Sequence, residues 1–193
     1  MADLARLLLT EDALPVANGG AGLIAATAAC GQGVVIQRGH VVDIGGSPLR
    51  LIALAGCRAV EVGLVDRCDA VEVEEAAAEV GLFVAEAARP GLVDLPSFLW
   101  ACRRAGRPAI VYLGTQTAWI PALDAGADLV VVDLGRSVGT PGAVVAGRAG
   151  LVGRVRAFVE SLSVLLAAPP EILAAATVQL EASLRRSSPM SAS

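Results

Sequence analysis

The fold is decided by residues 38–63, which read RGHVVDIGGSPLRLIALAGCRAVEVG. The stretch begins at the end of an apolar strand, and the Gly45-Gly46 pair then turns the chain. Ser47 is typical of a helix cap, and the proline after it is typical of a first helical position, where a missing N–H costs nothing. The segment therefore predicts a strand, a glycine turn, a helix over Pro48–Ala55 and a second strand over Arg58–Val62.

Short apolar runs alternate with helical patterns on both sides of this stretch. The alternation predicts an α/β fold in three layers, with a mostly parallel sheet and helices on both faces. In such sheets ligands lie at the carboxyl ends of the strands. The other predicted strands are Gly33–Gln37, Gly81–Ala85, Ala109–Leu113, Asp128–Asp133 and Ala143–Ala146. The other predicted helices are Ala2–Leu9, the Ala-rich segment from Asn18 to Cys30, Asp69–Glu79, Asp94–Arg104, Trp119–Gly126, Leu151–Leu162 and Pro170–Arg185.

The remaining segments separate these elements. Thr10–Pro15 is predicted as a break, Val41–Ile44 as extended chain and Leu134–Pro141 as a loop. No internal repeat is evident. We expect residues 1–166 to form one large domain, residues 167–186 a C-terminal helix and residues 187–193 a disordered tail.

The composition excludes several classes of function. Among 193 residues, 55% are apolar and the net charge is −4, with one small basic cluster at Arg103, Arg104 and Arg107. Nucleic-acid surfaces normally need more clustered positive charge, so we do not expect a nucleic-acid partner. No apolar run reaches 18 residues and no basic segment precedes the first leucines, which argues against a membrane span and a signal peptide. We expect a cytoplasmic protein whose excess of apolar residues lies in buried strands and in a homo-oligomer interface.

Cysteine and histidine usage argues against a metal site. The four cysteines form no CxxC pair, and His40 is the one histidine. Reduced cytosolic thiols that pack in the core are the expectation. His40, beside a glycine, is typical of a turn residue, although an acid or base role is open.

All fifteen basic residues are arginine, and the chain contains no lysine. Amine nucleophiles that form Schiff bases in enzymes are lysine side chains. Imine chemistry on a side chain is therefore excluded within these 193 residues.

Asn18-Gly19-Gly20 precedes the Ala-rich helix and is a candidate anion site. Asparagine is a good N-cap, and glycines let backbone N–H groups approach a phosphate or carboxylate at a helix N-terminus. An ordinary capped turn explains the same residues. Both interpretations stay open at this stage.

A set of short motifs, in one order and spacing, resembles a known family. They are Val16-Ala17-Asn18, Arg38-Gly39, Ile44-Gly45-Gly46-Ser47, Glu61-Val62-Gly63, Asp66-Arg67, Gly126-Ala127-Asp128-Leu129, Gly139, Pro141, Ala143 and Gly147. Over about Pro15–Val155 the chain resembles the bacterial selenocysteine synthase family, L-seryl-tRNA(Sec) selenium transferase, and its ammonia-lyase-like relatives. The resemblance implies the large domain of a fold-type I enzyme that uses pyridoxal phosphate (PLP).

The chain departs from this family where the chemistry is expected. The resemblance implies a lysine that forms the internal aldimine with PLP, and the matching residue is Arg136. It implies an aspartate that pairs with the pyridinium nitrogen, and Tyr112 stands there. The family's histidine and serine-asparagine stretch is matched by Ala85-Glu86-Ala87-Ala88. We also expect the tRNA-contacting N-terminal part to be absent and the small domain to be shortened.

Two of these residues carry alternatives. Arg136 could hold a phosphate or carboxylate in the old cofactor pocket, or it could be a loop arginine paired with Asp133 or solvent. Tyr112 could donate a hydrogen bond to a ligand, or fill space at a strand end. Asp128 and Asp133 lie on opposite faces of one strand by its period of two, so we expect no paired-carboxylate site, and Asp128 is predicted to close the preceding turn.

Three functions follow as hypotheses. The first is a selenocysteine synthase-like pseudoenzyme without the Schiff-base lysine and without covalent PLP, acting as a non-catalytic binding or regulatory subunit. The second is an enzyme that reuses the pocket for a phosphorylated or acidic small molecule, with Asn18, Gly19, Gly20 and Arg136 as contacts. The third is a structural partner that assembles with a full-length homologue. We do not expect tRNA-linked selenium transfer by this chain alone.

Overall fold

The computed structural model describes residues 2–31, 33–38, 56–62, 80–85, 95–113, 126–162 and 168–187. Within them the strands are β1 (Asp12–Val16), β2 (Gly33–Arg38), β3 (Arg58–Val62), β4 (Val80–Ala85), β5 (Ala109–Leu113), β6 (Leu129–Asp133) and β7 (Ala143–Gly147). The helices are α1 (Ala2–Leu7), α2 (Gly19–Cys30), α3 (Leu95–Arg104), α4 (Leu134–Val138), α5 (Ala149–Ser161) and α6 (Pro170–Ser187).

The seven strands form one sheet in the order β1-β7-β6-β5-β4-β2-β3. The pairings among β3, β2, β4, β5 and β6 are all parallel, whereas β7 is antiparallel to both β6 and β1. Six strands therefore end at the same edge of the sheet, which we call the carboxyl edge. The opposite edge, where these six strands begin and β7 ends, is called the amino edge.

Each face of the sheet carries its own apolar core. One core contains side chains of α1, α3 and α6, and the other contains side chains of α2 and α5. β6 divides its residues between them by the strand period of two, because Val130 and Val132 pack in the first core and Leu129 and Val131 in the second. These four side chains are at most 1% exposed. The α/β fold in three layers, with a mostly parallel sheet and helices on both faces, is confirmed.

Two predictions were wrong. The break over Thr10–Pro15 contains β1, which is an edge strand paired with β7 alone. Pro15 obscures this strand in the sequence, but an edge strand tolerates a proline because one side of its backbone needs no ladder hydrogen bond. The loop over Leu134–Pro141 contains α4, which Asp133 caps and which Gly139 ends in the left-handed conformation, with φ of 74°.

Most other described elements follow the sequence within one to two residues. The helix that begins at the Asn18 cap runs over Gly19–Cys30 and is followed by Gly31 as its C-cap, and Arg58–Val62 is a strand as predicted. Leu180 of α6 is fully buried in the core with α1 and α3, and the division at residues 166 and 167 stays a prediction. Several predicted segments lie wholly or largely outside the described residues: Val41–Ile44, Pro48–Ala55, Asp69–Glu79, Trp119–Gly126 and residues 187–193.

Replacing Gly147 with alanine should strongly destabilise the protein. A Cβ at this position would lie 2.2 Å from the carbonyl oxygen of Asp128 and 3.0 Å from the Cα of Leu129, and φ is 153°. Neither contact can be relieved by rotating a side chain, so β7 must move away from β6. We expect the free energy of unfolding to fall by about 3 kcal/mol or more, measured by denaturant titration.

Gly153→Ala is the matched control, because its Cβ meets nothing within 4 Å on helix α5. Alanine is the better helix former, so this variant should gain roughly 0.5–1 kcal/mol. Equal effects of the two substitutions would contradict the register between β6 and β7.

Candidate functional site

The carboxyl ends of β1, β5 and β6 bring together residues that are far apart in the sequence. Asn18 and Gly19 follow β1, Tyr112 is near the end of β5, and Asp133 is the last residue of β6. Tyr112 pairs with Val131 across the parallel ladder, so Asp133 is its diagonal neighbour two residues further on the same face. The site lies where α/β sheets place their ligands.

Asn18 caps helix α2. Its backbone is extended, its Oδ1 accepts from the N–H of Ala21 at 2.8 Å, and its carbonyl oxygen accepts from the N–H of Gly22 at 3.0 Å. A side-chain oxygen that reaches the third residue of a helix satisfies one of the N–H groups that the helix leaves without a partner. The structure thus shows Asn18 as the cap of α2, and an anion site at the same turn stays a prediction.

Tyr112 and Asp133 are joined by a hydrogen bond. The Tyr112 hydroxyl donates to Oδ2 of Asp133 at 2.8 Å, and the tyrosine is 1% exposed. A phenol buried this deeply needs a partner for its O–H, and a carboxylate is a strong one. The Tyr112 hydroxyl thus donates its hydrogen bond to another residue of the protein, so this side chain does more than fill space at the strand end.

Gly19 is in direct contact with this pair. A Cβ built on Gly19 would lie 2.5 Å from Oδ2 of Asp133 and 2.7 Å from the hydroxyl of Tyr112. The absence of a side chain is therefore what lets the first turn of α2 approach the carboxylate. A carboxylate at a helix N-terminus is favoured by the positive end of the helix dipole, typically by about 0.3–1 kcal/mol.

Asp133 also caps helix α4 through its second carboxylate oxygen. Oδ1 accepts from the backbone N–H of Arg136 at 3.2 Å, and the Ser137 hydroxyl donates to the carbonyl oxygen of Asp133 at 2.5 Å. The Asp133 side chain thus accepts hydrogen bonds from α4 and from the end of β5, and it lies against the first turn of α2. Arg136 is exposed, and its backbone N–H is the group that donates to Asp133.

The predicted anion site is therefore only partly assembled as expected. Gly19 lies against Asp133, which the sequence did not identify as a site residue, and the backbone N–H of Arg136 binds the same carboxylate. Gly20, the next residue of α2, is half-buried. The one signal for Asp133 was its place as a cap, five residues after Asp128 and six before Gly139. His40 lies outside the described residues.

The described cysteines do not supply a nucleophile. Cys30, Cys57 and Cys102 are free thiols, and the Cys57 thiol donates to the carbonyl oxygen of Gly31 at 3.2 Å. Burial raises the pKa of the Cys30 thiol to about 11, with Asp128 adding to the rise and Arg154 opposing it. Because the thiolate is the reactive form, Cys30 is a poor nucleophile at neutral pH. The described ranges contain no group of three metal-ligating side chains and no helix apolar and long enough to cross a bilayer.

Residues 1–86 match the model of the L-seryl-tRNA selenium transferase family, SelA. The first 86 residues of the chain are therefore similar to the SelA family. The family resemblance that the motifs predicted is thereby confirmed. A curated relative from a Streptomyces species, 5'-C-glycyluridine monooxygenase-decarboxylase, is 32% identical over 180 residues, which cover 80% of the chain and 45% of the relative.

Solved structures show the same fold in enzymes of the PLP-dependent class. D-glucosaminate-6-phosphate ammonia-lyase superposes with a TM-score of 0.74 at 22% identity, over 94% of this SelA-like chain and 56% of that protein. SPT with a PLP internal aldimine gives a TM-score of 0.71 at 16% identity, over 96% and 50%. The SepCysS–SepCysE N-terminal domain complex gives a TM-score of 0.64 at 16% identity, and the match covers 80% of this chain and 46% of that one. The chain thus spans about half the length of the relatives it matches.

The described residues do not fit PLP held as an internal aldimine. Arg136 stands where the resemblance implies the lysine, and its guanidinium stays protonated. Tyr112 stands where a carboxylate would face the pyridinium nitrogen, and its hydroxyl already binds Asp133. At Gly19, where a phosphate would approach the helix N-terminus, the Asp133 carboxylate and the tyrosine hydroxyl fill the space.

A double-mutant cycle tests the contact between Gly19 and Asp133. Gly19→Ala should lower the free energy of unfolding by about 1–3 kcal/mol, because its Cβ displaces a hydrogen-bonded carboxylate. In the Asp133→Ala background the same substitution should cost less, since Oδ2 is absent, and a coupling energy of about 1 kcal/mol is expected. Denaturant unfolding of the four proteins measures it, and strict additivity would show that the two residues are not in contact.

Proposed function

We propose that this SelA-like chain forms no internal aldimine and acts as a non-catalytic binding or regulatory subunit. The observation that carries the proposal is Arg136 at the lysine position in a chain of 193 residues that contains no lysine. An imine needs a neutral amine with a lone pair, and a guanidinium does not deprotonate in proteins.

Electrostatics at helix α2 support the same proposal. A phosphate at the first turn of α2 would gain charge-assisted hydrogen bonds of about 1.5–3 kcal/mol each from backbone N–H groups. It would also face the Asp133 carboxylate, which already lies against Gly19. Two like charges about 4 Å apart repel by roughly 4 kcal/mol at an effective dielectric constant of 20. Repulsion thus offsets one to two of those hydrogen bonds, and a phosphorylated cofactor is disfavoured unless Asp133 moves or takes up a proton.

The alternative function is an enzyme that reuses the pocket for a phosphorylated or acidic small molecule. Its support is the capped N-terminus of α2 at Asn18 and Gly19, the neighbouring Gly20, and a cationic Arg136 on α4, which begins at the same aspartate. The name of the Streptomyces relative describes an enzyme, which also favours retained chemistry. This alternative requires an anion to displace or neutralise the Asp133 carboxylate.

Assembly with a second protein is a further possibility within the proposal. The solved complex of SepCysS with an N-terminal domain of SepCysE shows that a protein of this fold binds a partner. Several large apolar side chains are exposed among the described residues: Leu9, Trp100, Leu162 and Val178. They are consistent with a homo-oligomer or with co-assembly with a full-length homologue.

A PLP titration tests the proposed loss of aldimine chemistry. The wild-type chain should show no imine absorbance band and, after borohydride reduction, no adduct on any internal peptide by mass spectrometry. Asp133→Asn should bind PLP non-covalently more tightly than wild type, by about tenfold or more, because the repulsion is removed. Arg136→Lys in the Asp133→Asn background supplies an amine and is the positive control for adduct detection. A wild-type adduct outside the N-terminal amine, or tighter PLP binding by wild type than by Asp133→Asn, would refute the proposal.

The mass in solution tests the assembly. We expect analytical ultracentrifugation of the purified chain, alone and mixed with a full-length homologue, to show a species heavier than the monomer. A strictly monomeric mass in both samples would remove the partner function. The PLP titration would be unaffected by that result, so the two parts of the proposal are tested separately.

A further inference from the structure

A groove of about 780 Å³ opens at the amino edge of the sheet, at the opposite end of β6 from Asp133. Asp128, next to the start of β6, lines this groove, and the five residue-to-residue steps from Asp128 to Asp133 span roughly 16 Å. The groove is therefore separate from the site at Asn18 and Gly19. Its volume is within the range of about 300–1,000 Å³ typical of small-molecule sites.

Arginines dominate the charge of this groove. Among the residues that the structure describes, its ionisable lining residues are Arg103, Arg107, Arg148, Arg154, Glu11 and Asp128. Four cations face two carboxylates, so the lining has a surplus of two positive charges in a chain whose net charge is −4. This concentration of positive charge in a concavity raises the local concentration of anions.

Both carboxylates of the groove are already engaged by the protein. Oε2 of Glu11 accepts from the N–H of Ala149 at 2.8 Å. Asp128 accepts from the N–H of Ala109 through Oδ2 at 2.9 Å, and from Arg148 through Oδ1 at 2.9 Å. The bond with Asp128 raises the pKa of the exposed Arg148 above its ordinary value. Both carboxylates thus serve structural contacts, and among the arginines of the groove Arg148 forms the ion pair with Asp128.

Arg103 and Arg154 have no hydrogen-bonded or ion-pair partner in the part of the chain that the structure describes. Arg103 lies over Gly126, where a Cβ would be 2.9 Å from its Nη2, and Arg154 projects from α5 one turn after Gly150. Gly150 is exposed at the first turn of α5, and no described residue accepts from its N–H. Two guanidinium groups and a helix N-terminus therefore line the same groove.

The geometry points to a second ligand site in this groove, for a small molecule that carries two or more phosphate groups. Guanidinium groups bind phosphate oxygens bidentately, and the N–H of Gly150 adds a backbone donor beside that of Ala149, which Glu11 already binds. Single phosphates or carboxylates would engage only part of the lining. A long nucleic acid would meet the acidic remainder of the chain, and the lining residues that the structure describes include no aromatic side chain on which a base could stack.

Calorimetric titration with pyrophosphate and with inorganic phosphate tests the site. Pyrophosphate should bind at least about tenfold more tightly than phosphate, and added salt should weaken it. The paired charge reversal Arg103→Glu with Arg154→Glu should weaken pyrophosphate binding by about a hundredfold or more. The neutral pair Arg103→Gln with Arg154→Gln should weaken it less, which guards against misfolding of the reversed variant.

Arg58→Glu is the matched control, because it reverses an exposed arginine at the start of β3, which does not line the groove. It should leave pyrophosphate binding unchanged. Binding that is lost in Arg136→Glu and kept in both arginine pairs would place the ligand at the other site and overturn this inference. Three other results would also overturn this inference. They are no measurable pyrophosphate binding, equal affinity for pyrophosphate and phosphate, and binding of a synthetic acidic peptide alone. None of these results bears on aldimine formation, so the proposed function is judged independently.

Discussion

The hydrogen bond between Tyr112 and Asp133 is the interaction on which the carboxyl edge of this SelA-like protein depends. It joins the ends of two neighbouring parallel strands on the face that packs against α2. Position 19 requires glycine, because Oδ2 of Asp133 and the hydroxyl oxygen of Tyr112 lie close to where a Cβ would be. The same carboxylate then begins α4 through the backbone of Arg136. One residue thus sets the entry of one helix, the start of another and the chemistry of the space between them.

A fold shared with PLP-dependent enzymes does not by itself determine the chemistry at the carboxyl edge. A helix N-terminus at the end of a strand favours an anion, and the anion can come from a ligand or from the protein itself. Here Asp133 supplies it, and Tyr112 holds it in place. The sheet, the glycine and the capped helix are compatible with the large-domain fold of PLP-dependent enzymes, whereas the charge now present opposes a phosphate. Fold and chemistry are therefore carried by different residues of the same edge.

The parts of the structure that depend on local pattern were predictable. Buried strands such as β5 and β6 are continuous apolar runs, and Asn18 and Gly31 mark the ends of α2. The edge strand β1 was missed because Pro15 reads as a break unless its place at the sheet edge is known. The site residue Asp133 was missed for a different reason. Its role depends on the register between β5 and β6 and on the approach of α2, and neither is encoded in a short window of sequence.

The position of the groove at the amino edge depends on β7, the described strand that is antiparallel to its neighbours. A helix that follows a parallel strand of this sheet begins at the carboxyl edge, as α2 does after β1. Because β7 is antiparallel, α5 begins at the amino edge and brings its N-terminus and Arg154 there. The end of α3 supplies Arg103 at the same edge, since a helix that crosses back to start the next parallel strand must finish there. A single reversal of strand direction is thus sufficient to place a cationic groove opposite the Asp133 edge.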